Sequence, residues 1–531
     1  MHAHANQNET FVSALTALAG SDAVITDQAE REFYSQDIYR HGKTVAAVLR
    51  APTVDILQQA LTLAANHQVP VIARGGGMSY TDGFLATANE TLLVDIGALN
   101  QVLDINTEDM YVTVQAGCTW RALNDALKPH GVRTPYWGPL SGMRATVGGA
   151  LSQGSVFLGS GQHGSAADNV QSMDVLLADG TLVRTGSAVN THATPFYRNY
   201  GPDLTGLFTG DCGALGIKVV ATLPLMRTLP HERHASFGFT SIAAQMTAMN
   251  EIARQGLVSE CFAFDPGLQA IRLKRSSMTE DVKSLGRVMK SEGSLLGGLK
   301  AGAKVIAAGR DFLKGLDFSM HVTIESRSSA DADERLAAVR AIVGDTGKEV
   351  EATMPKVMRA DPFANVNSLL GPGGERWAPV HGIFAMSRAQ EAYEAAQAVF
   401  AEHAEEMGQH EMDTGVLMCT IGSSATLVEP CLYWEDAQMP IHQRFLDDDY
   451  LSNLTNFPED LKARALVDKL RHALSAKLHT LGATHFQIGK HYPYRQDMQP
   501  GADALLQAIK AAVDPDGRMN PGVLGLGQKD N

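Results

Sequence analysis

The amino-acid sequence predicts an α+β protein of two or three domains. Its 531 residues are too many for one ordinary hydrophobic core, which favours a division into domains. Strand and helix patterns alternate up to about residue 131, as is typical of helices packed on a sheet. Beyond that point, strands and helices recur in a pattern that predicts an antiparallel sheet with helices on one face.

The composition describes a soluble globular protein, with 44% apolar and 19% charged residues. A formal net charge of −14 argues against nucleic acid and anionic membranes as partners. No signal peptide and no apolar run of 18 residues is present, so we expect a cytoplasmic protein without a membrane span. The cysteines lack C-x-x-C spacing, which argues against disulfides and a zinc site: Cys118, Cys212, Cys261, Cys419 and Cys431.

Several segments before residue 135 predict the elements of the first domain. Thr53 is the expected N-cap of an amphipathic helix. Leu92–Ile96 and Tyr111–Gly117 have the patterns of buried strands. A helix over Trp120–Leu127 follows, with Gly131 as its expected C-cap.

A glycine-rich turn follows a short apolar strand that begins at Val71. Three consecutive glycines let the backbone adopt positive φ and approach a bulky ligand, and a row of free N–H groups there forms an anion-binding concavity. We therefore expect this first loop to bind an anion rather than to be only a tight turn. It comprises Arg74, Gly75, Gly76, Gly77, Met78, Ser79 and Tyr80.

A second glycine-rich stretch spans residues 146–164. Its last six residues, Gly159 to Gly164, match the G-x-G-x-x-G pattern of dinucleotide-binding proteins. That fingerprint must follow a strand and open a helix. Here it lies within a loop and leads to a strand that ends in the sequence L-A-D-G, at 177–180. We therefore reject the dinucleotide interpretation.

Four ordered motifs resemble the vanillyl-alcohol oxidase/p-cresol methylhydroxylase flavoprotein family. The first loop has that family's R-G-G-G-x-S form, and the second has its V-G-G element followed by a strand ending in L-A-D-G. A third signature lies at 201–217 and a fourth at 514–522. The resemblance is close over about 45–228 and 485–525.

This resemblance implies FAD as cofactor and a two-part FAD-binding domain of the p-cresol methylhydroxylase type. An antiparallel-sheet cap, which binds the substrate, is inserted into it. The implied boundaries are 1–228 for the FAD-binding domain, 229–484 for the cap and 485–531 for the C-terminal return. We expect a dry wall for the flavin ring from Val156 to Leu158 and from Ile217.

The expected cofactor-binding residues belong to the two loops and the later signatures. They are Arg74, Gly75, Gly76, Gly77, Met78, Ser79, Tyr80, Thr146, Val147, Gly148, Gly149, Ser152, Gly154, Gly216, Ile217 and Asn520. Because the pyrophosphate needs close backbone approach, we expect a bulky side chain at Gly76 to block it directly.

The implied cap shows alternating strand and helix patterns. The expected strands are Ser236–Phe239, His321–Ser326, Trp377–Phe384 and Val416–Ile421, with helices over 241–255, 329–343 and from Ser387 to Gly408. The last helix is expected to open with a capping box, Ser387 to Gln390. We interpret residues 281–315, with their scattered glycines and lysines, as a mobile excursion.

The best candidates for chemistry lie in the polar, aromatic segment 485–495. Phenol-oxidising members of the family bind the substrate phenolate with a Tyr-Arg pair near this point, and Tyr494 and Arg495 resemble that pair. The guanidinium could equally bind the carboxylate of a 2-hydroxy acid. His491 is a further candidate substrate contact. The alternative is a surface loop of satisfied polar groups.

The resemblance also points to the second loop for the catalytic base. Phenol oxidases have an aspartate there, whereas this chain has Gln162, which cannot accept a proton; His163 beside it could. In the cap, Tyr433, Trp434 and His381 are candidate substrate contacts, with core packing as the alternative for each.

Departures from the family pattern indicate how FAD is held. Bicovalent members attach FAD through a histidine in the first loop and a cysteine near the second, where this chain has Met78 and Arg144. We therefore expect non-covalent FAD, with a single link from a cap histidine such as His381 as the alternative. The G-D-G-N-x-H motif of metal-dependent 2-hydroxy-acid dehydrogenases is missing, so no metal is expected.

The sequence thus predicts an FAD-dependent oxidoreductase that takes a hydride from an alcohol carbon and passes electrons to oxygen or another acceptor. Phenolic or aryl alcohols are the favoured substrates. The alternatives are a 2-hydroxy acid such as lactate or glycolate and a flavin-binding protein without turnover. We expect a homo-oligomer, such as a dimer.

Overall fold

The computed structural model describes residues 2–274 and 316–527. Its helices and antiparallel and mixed sheets confirm the expected α+β class. The expectation for 281–315 concerns residues outside these ranges.

The described residues form two compact units. The first contains the chain up to Ser155, Ser165–Arg227 and the chain from His485; the second contains Val156–Gly164 and the described parts of Thr228–Thr484. The boundaries near 228 and 485 lie within one residue of the expected ones. Val156–Gly164, which we expected in the FAD-binding domain, belongs instead to the second unit.

The first unit contains short strands and seven α-helices among the described residues. The strands are Val24–Ile25, Ala47–Leu49, Val71–Arg74, Leu92–Asp95, Val102–Asn106, Tyr111–Gln115, Val132–Arg133, Ser172–Leu176, Leu182–Arg184, Ile217–Pro224 and Met226–Arg227. The helices are His2–Ala19, Gln28–Tyr34, Val54–Asn66, Trp120–Leu127, Val147–Gln153, Leu204–Leu207 and Pro500–Val513. Short 3-10 helices are Ser21–Ala23, Ile96–Ala98, Lys128–His130, Ala166–Asn169, Gly186–Val189 and Val523–Gly525.

The second unit contains one large sheet and its helices. The strands are His231–Phe239, Glu260–Phe264, Phe318–Ser326, Gly347–Val350, Arg376–Pro379, Gly382–Ala385, Asp413–Ile421 and Ala425–Trp434. The α-helices are Ser160–His163, Ile242–Arg254, Pro266–Lys274, Ser329–Val343, Thr353–Ala360, Ala389–Glu402, Ala404–Gly408, Pro440–Phe445, Asp448–Leu451 and Leu461–Thr480. Short 3-10 helices are Gly344–Thr346, Asn367–Leu369 and Met386–Arg388.

Three sheets are found in the described part of the first unit, and the smallest is the two-stranded pair of Val132–Arg133 and Met226–Arg227. In the four-stranded sheet, Leu92–Asp95 lies between Ala47–Leu49 and Val71–Arg74 and runs parallel to both. A second, five-stranded sheet is antiparallel. The helix Val54–Asn66 packs its buried leucines and alanines against the four-stranded sheet. Thr53 caps this helix as expected, since its hydroxyl accepts a hydrogen bond from the N–H of Ile56 (3.2 Å).

The second unit is built on one eight-stranded antiparallel sheet, as the sequence predicts for the cap. The predicted helix over 329–343 matches the observed Ser329–Val343. The expected strand Trp377–Phe384 is interrupted and forms two strands, Arg376–Pro379 and Gly382–Ala385. The capping box at Ser387 was wrong, because a 3-10 turn precedes Ala389–Glu402 and no side chain caps that helix.

One buried arginine joins three glutamates on neighbouring strands of the second-unit sheet. Arg359 forms ion pairs with Glu232 (3.2 Å), Glu260 (2.8 Å) and Glu325. Burial alone would lower the pKa of Arg359, but the charges of the glutamates raise it. Burial likewise acts to raise the pKa of Glu232, yet the hydrogen bond from His234 and the charge of Arg359 lower it to about 2. The arginine therefore compensates several carboxylates at once.

We expect Arg359→Met to lower the free energy of unfolding of the second unit by about 3–5 kcal/mol, because buried carboxylates lose their counter-charge. Urea unfolding followed by circular dichroism measures this. Without the arginine the carboxylates gain protons more easily, so the difference from wild type should be smaller at pH 5 than at pH 8.

The matched control is Arg340→Met. Arg340 pairs with Glu349 at the surface, with side chains 51% and 41% exposed, so the loss should stay below about 1 kcal/mol. Equal effects of the two substitutions would contradict a structural role for the Arg359 cluster.

Candidate cofactor site

The first glycine loop begins where the strand Val71–Arg74 ends and forms a wall of an open cavity of about 900 Å³ in the first unit. Gly75 to Ser79 line this cavity. Gly77 has φ +74°, which glycine adopts without strain. Across residues 2–274 and 316–527, no acceptor is found for the backbone N–H groups of Gly75 to Met78. Four adjacent donors at a cavity wall suit an anion.

Arg74 places a positive charge at the start of this loop. Its guanidinium lies 5.5 Å from the ring of Phe33, 5.0 Å from that of Tyr34 and 5.5 Å from that of Phe84. Arg74 is only 4% exposed, and such cation–π contacts stabilise a charge away from water. A Cβ at Gly77 would overlap the guanidinium, so the glycine lets the charge lie against the loop.

The glycines of the first loop also allow it to contact the second glycine-rich stretch. A Cβ at Gly76 would overlap the carbonyl oxygen of Arg144, and one at Gly75 would crowd the hydroxyl of Thr146. We expected a side chain at Gly76 to block the cofactor directly, but the atoms that it would overlap belong to the protein. Such a side chain would first push the two protein segments apart.

The V-G-G element lies in a helix, not in a loop. The helix Val147–Gln153 begins after Thr146, whose hydroxyl accepts a hydrogen bond from the N–H of Gly149 (3.1 Å). Thr146, Gly148, Gly149 and Ser152 line the cavity. Val147 and Gly154 are not among the lining residues, although we expected them to bind the cofactor. Val147 is fully buried, and Gly154 ends the helix with φ +67°.

The wall formed by the third signature includes Gly216, Ile217 and the unpredicted Lys218. The Lys218 ammonium forms a buried ion pair with Asp211 (Nζ–Oδ1 2.5 Å). Cys212 also lines the cavity, and burial raises the pKa of its thiol to about 12. These groups were missed because the sequence motif emphasised the glycines around them.

Asn520 and Tyr80 support the cavity from behind rather than line it. The side-chain amide of Asn520 donates to the carbonyls of Gly83 (2.7 Å) and Cys212 (2.8 Å). The Tyr80 hydroxyl accepts a hydrogen bond from the Gln487 side chain (3.2 Å). Of these residues, Gly83, Cys212 and Gln487 do line the cavity. Asn520 and Tyr80 thus form hydrogen bonds to residues of the cavity wall, and the cofactor contacts expected for them stay a prediction.

Further lining residues are mostly small or apolar and carry no motif of their own. They are Ala73, Phe84, Ile96, Ala116, Pro139, Ser141, Ala145, Ala150, Gln153 and Ser155. No periodicity or spacing in the sequence marks them, because each meets the cavity only through the fold.

Tyr494 and Arg495 have different surroundings in the structure. The Arg495 guanidinium forms a two-pronged ion pair with Asp503 (2.6 and 2.9 Å) and donates to the carbonyl of Gly525 (2.9 Å). Tyr494 is 37% exposed. This arrangement corresponds to the alternative of a loop with satisfied polar groups, and Arg495 is not placed as a ready substrate anchor.

Instead, three rings of the same segment stack together in the first unit. His485 stacks on Tyr492 with centroids 4.2 Å apart, and His491 meets Tyr492 edge-on at 4.9 Å. Gln487, between the histidines in sequence, lines the cavity. The segment 485–495 therefore reaches the cavity through Gln487, with the ring stack close to it in sequence.

The remaining candidates belong to the second unit. Gln162 is exposed and His163 partly buried in the short helix Ser160–His163, which no strand precedes, in agreement with the rejected dinucleotide interpretation. Tyr433 is largely buried and His381 fully so. Trp434 is fully buried, donates to Asp436 (3.2 Å) and stacks against Arg376. Core packing accounts for Trp434.

The described residues contain no group of histidine, cysteine, aspartate and glutamate side chains arranged to hold a metal ion. In the same part of the chain, no helix combines the length and apolar character needed to cross a membrane.

Comparison with known families gives two matches. Residues 45–186 match the FAD binding domain, and residues 478–524 match the C-terminal domain of FAD linked oxidases. The first match contains both the first loop and the V-G-G helix, and the second contains Gln487, the ring stack and Asn520.

Curated relatives are similar over part of their length. D-lactate dehydrogenase [cytochrome] 1 of Saccharomyces cerevisiae is 29% identical over 40% of this chain and 35% of its own. Glycolate oxidase subunit GlcD of Bacillus subtilis is 30% identical over 40% of this chain and 44% of its own. The matched segment thus spans less than half the length of these relatives.

Solved structures share the fold over nearly the whole chain. The crystal structure of p-cresol methylhydroxylase with substrate bound has a TM-score of 0.74 at 16% identity and covers 98% of this chain and 97% of its own. 4-Ethylphenol oxidase from Gulosibacter chungangensis has a TM-score of 0.68 at 17% identity, with 98% coverage of both chains. The chain therefore contains segments that match two domains of FAD-linked oxidases, and it shares the fold of p-cresol methylhydroxylase and 4-ethylphenol oxidase.

Proposed function

We propose that this protein is an FAD-dependent oxidoreductase that removes a hydride from an alcohol carbon of a small molecule. The observation that carries the proposal is the row of four N–H groups from Gly75 to Met78 without protein acceptors in the described chain, next to the enclosed cation of Arg74. This row lies within the segment that matches the FAD binding domain.

The residues of the cavity fit FAD in charge and polarity. The N–H groups of the first loop and Arg74 would hold the pyrophosphate. Apolar lining residues, including Ile96, Ala116 and Ile217, would contact uncharged parts of the cofactor. When bound, FAD supplies the two-electron acceptor for a hydride. The chain's own task is to bind the substrate, orient its C–H bond and accept the hydroxyl proton.

Two substrate classes are candidates, and the structure changes which of them has more support. The aryl-alcohol class depended on the Tyr494-Arg495 pair, but Arg495 is engaged by Asp503. The 2-hydroxy-acid class gains support from the relatives, which are named D-lactate dehydrogenase and glycolate oxidase. We propose 2-hydroxy acids as the first class to test and aryl alcohols as the second. Oxygen or another acceptor would then reoxidise the flavin.

We expect Arg74→Met to weaken FAD binding about 10- to 100-fold, because a charge-assisted interaction with the pyrophosphate is lost. Methionine is flexible and apolar, so it should fill the space between the aromatic rings and preserve the fold. Fluorescence titration of the apoprotein with FAD measures the affinity. The control, Arg50→Met, removes a half-exposed partner of Asp95 and should leave it unchanged. Equal FAD affinity in both variants would rule out the role of Arg74.

We expect acid precipitation to release FAD into the supernatant. Met78 cannot form a flavin bond like that of a histidine, and the Cys212 thiol stays protonated because burial raises its pKa to about 12, which makes it a weak nucleophile. The measurement is the flavin absorbance of the supernatant and of the redissolved pellet. Colour that stays in the pellet would contradict non-covalent binding, and loss of that colour in Cys212→Ser would then locate the bond.

We expect anaerobic mixing with at least one 2-hydroxy acid or aryl alcohol to bleach the flavin. Stopped-flow absorbance with lactate, glycolate, mandelate and 4-hydroxybenzyl alcohol tests both classes side by side. A flavin that stays oxidised with the whole panel would favour a flavin-binding protein without turnover.

A further inference from the structure

Four polar side chains of the cavity wall are not among the residues that the sequence motifs assign to the cofactor. They are Gln153, Cys212, Lys218 and Gln487, and all four line the cavity of the first unit. The Cys212 thiol donates to Oε1 of Gln153 (3.4 Å), and the N–H of Gln487 donates to the backbone carbonyl of Gln153 (2.7 Å). Lys218 joins the group through its ion pair with Asp211, the residue before Cys212. We call these four residues the polar subsite.

Two residues of the polar subsite have a strained backbone. Cys212 has φ +49° and Gln487 has φ +48°, in the left-handed region that residues with a side chain rarely adopt. Hydrogen bonds hold Cys212 in this conformation: its thiol accepts from the N–H of Gly489 (3.4 Å), and its carbonyl accepts from the Asn520 amide (2.8 Å). Strained residues of this kind cluster at ligand sites, so the conformation favours a binding role for this part of the wall.

Lys218 brings an ammonium group to this wall. Its side chain is only 2% exposed and pairs with Asp211 (Nζ–Oδ1 2.5 Å). The same carboxylate oxygen accepts a hydrogen bond from the N–H of Gly213 (3.0 Å), which lines the cavity next to Cys212. The ammonium therefore lies beside the wall. Its charge also acts on Cys212: burial raises the pKa of the thiol to about 12, and the lysine opposes that rise.

The polar subsite has hydrogen-bonding groups that the protein leaves available. An ammonium carries three N–H donors, and Asp211 is the one hydrogen-bond acceptor of Lys218 within residues 2–274 and 316–527. In the same ranges, the side-chain N–H groups of Gln153 have no acceptor and the side-chain oxygen of Gln487 has no donor. The subsite therefore offers several donors and one acceptor to a ligand in the cavity.

The charges at the polar subsite indicate which kind of group it binds. Asp211 balances the charge of Lys218, and its carboxylate would repel a phosphate placed beside the same ammonium. The first loop and Arg74 already provide N–H groups and a cation for the pyrophosphate. An uncharged group with several acceptors and a donor suits the subsite better. In FAD, the edges of the isoalloxazine and adenine rings have this character.

We propose that the polar subsite binds the edge of one ring system of FAD, with Lys218 donating to a ring nitrogen or carbonyl oxygen. Gln153 donates to a further acceptor of the ring, and Gln487 accepts from a ring N–H. Asp211 positions the ammonium. The inference rests on the proposed function for the identity of the cofactor. It adds the side chains by which the protein distinguishes FAD from a simple diphosphate.

The test compares the affinities of the apoprotein for FAD, FMN and ADP by calorimetric titration. FMN carries the isoalloxazine ring without adenine, and ADP carries adenine without isoalloxazine. Because Lys218→Met alone would leave the Asp211 carboxylate buried without its cation, the variant combines Lys218→Met with Asp211→Asn. The asparagine oxygen still accepts the N–H of Gly213. We expect FAD binding to weaken about 10- to 100-fold, because hydrogen bonds from a charged donor are lost.

A second variant and a control separate the lost contact from a damaged fold. Lys218→Gln with Asp211→Asn keeps a neutral N–H donor, so FAD binding should weaken only about 3- to 10-fold. The control removes another ion pair of the same five-stranded sheet, Arg184 with Asp174 (3.5 Å), and neither of these residues lines the cavity. Arg184→Met with Asp174→Asn should bind all three ligands like wild type.

The pattern across the three ligands decides the inference. Weaker FAD and ADP binding with unchanged FMN binding identifies adenine as the ring, and weaker FAD and FMN binding with unchanged ADP binding identifies isoalloxazine. Equal weakening for all three ligands means that Lys218 only supports the fold and overturns the inference. Unchanged FAD affinity in both Lys218 variants overturns it as well.

The outcomes also separate this inference from the proposed function. Wild-type protein that binds no FAD overturns both. Wild-type protein that binds FAD but is bleached by no substrate contradicts the proposed function alone, and a ring-selective loss of affinity in the Lys218 variants then still supports the polar subsite. Bleaching by substrate with unchanged FAD affinity in these variants overturns the polar subsite alone.

Discussion

The cofactor cavity depends on the close contact between the first glycine loop and the segment around Arg144. This contact needs a missing side chain at Gly76, because a Cβ would overlap the Arg144 carbonyl. The loop is thereby held in a shape in which its N–H groups find no acceptor in the described protein. Unpaired donors normally cost free energy. The fold nevertheless leaves these N–H groups without acceptors, and an anion can supply the missing hydrogen bonds. Arg74, held by aromatic rings, adds the matching charge.

The second unit shows how the same residue type serves two purposes on one sheet. Arg359 is saturated by Glu232, Glu260 and Glu325, and its role follows from charge balance. Arg272 lies over an aromatic ring and has no comparable partner among the described residues. Charge balance by neighbouring carboxylates therefore explains the position of Arg359 but does not apply to every arginine near the sheet.

Local patterns predicted the parts of the structure that local forces determine. Consecutive glycines marked the first loop, and apolar periodicity marked helices such as Ser329–Val343. Residues that only the fold brings together were not predicted. Lys218 and Gln487, which line the cavity, are examples. Arg495 misled because a motif match cannot reveal a partner eight residues away, Asp503. The assignment of site residues beyond the first loop therefore required the register of strands and the packing of helices.

The hydrogen bonds of Asn520 have a consequence for the order in which the protein can fold. The strand that leads into the first loop bonds to the end of the chain, since Val71 donates to Arg518 and accepts from Asn520. Asn520 also holds Gly83, which is 437 residues earlier in the sequence. During synthesis the ribosome must therefore deliver this late segment before the walls of the cavity can close. The continuous part of the second unit ends at Thr484 and is synthesised earlier, so FAD uptake is expected only after Asn520 has been synthesised.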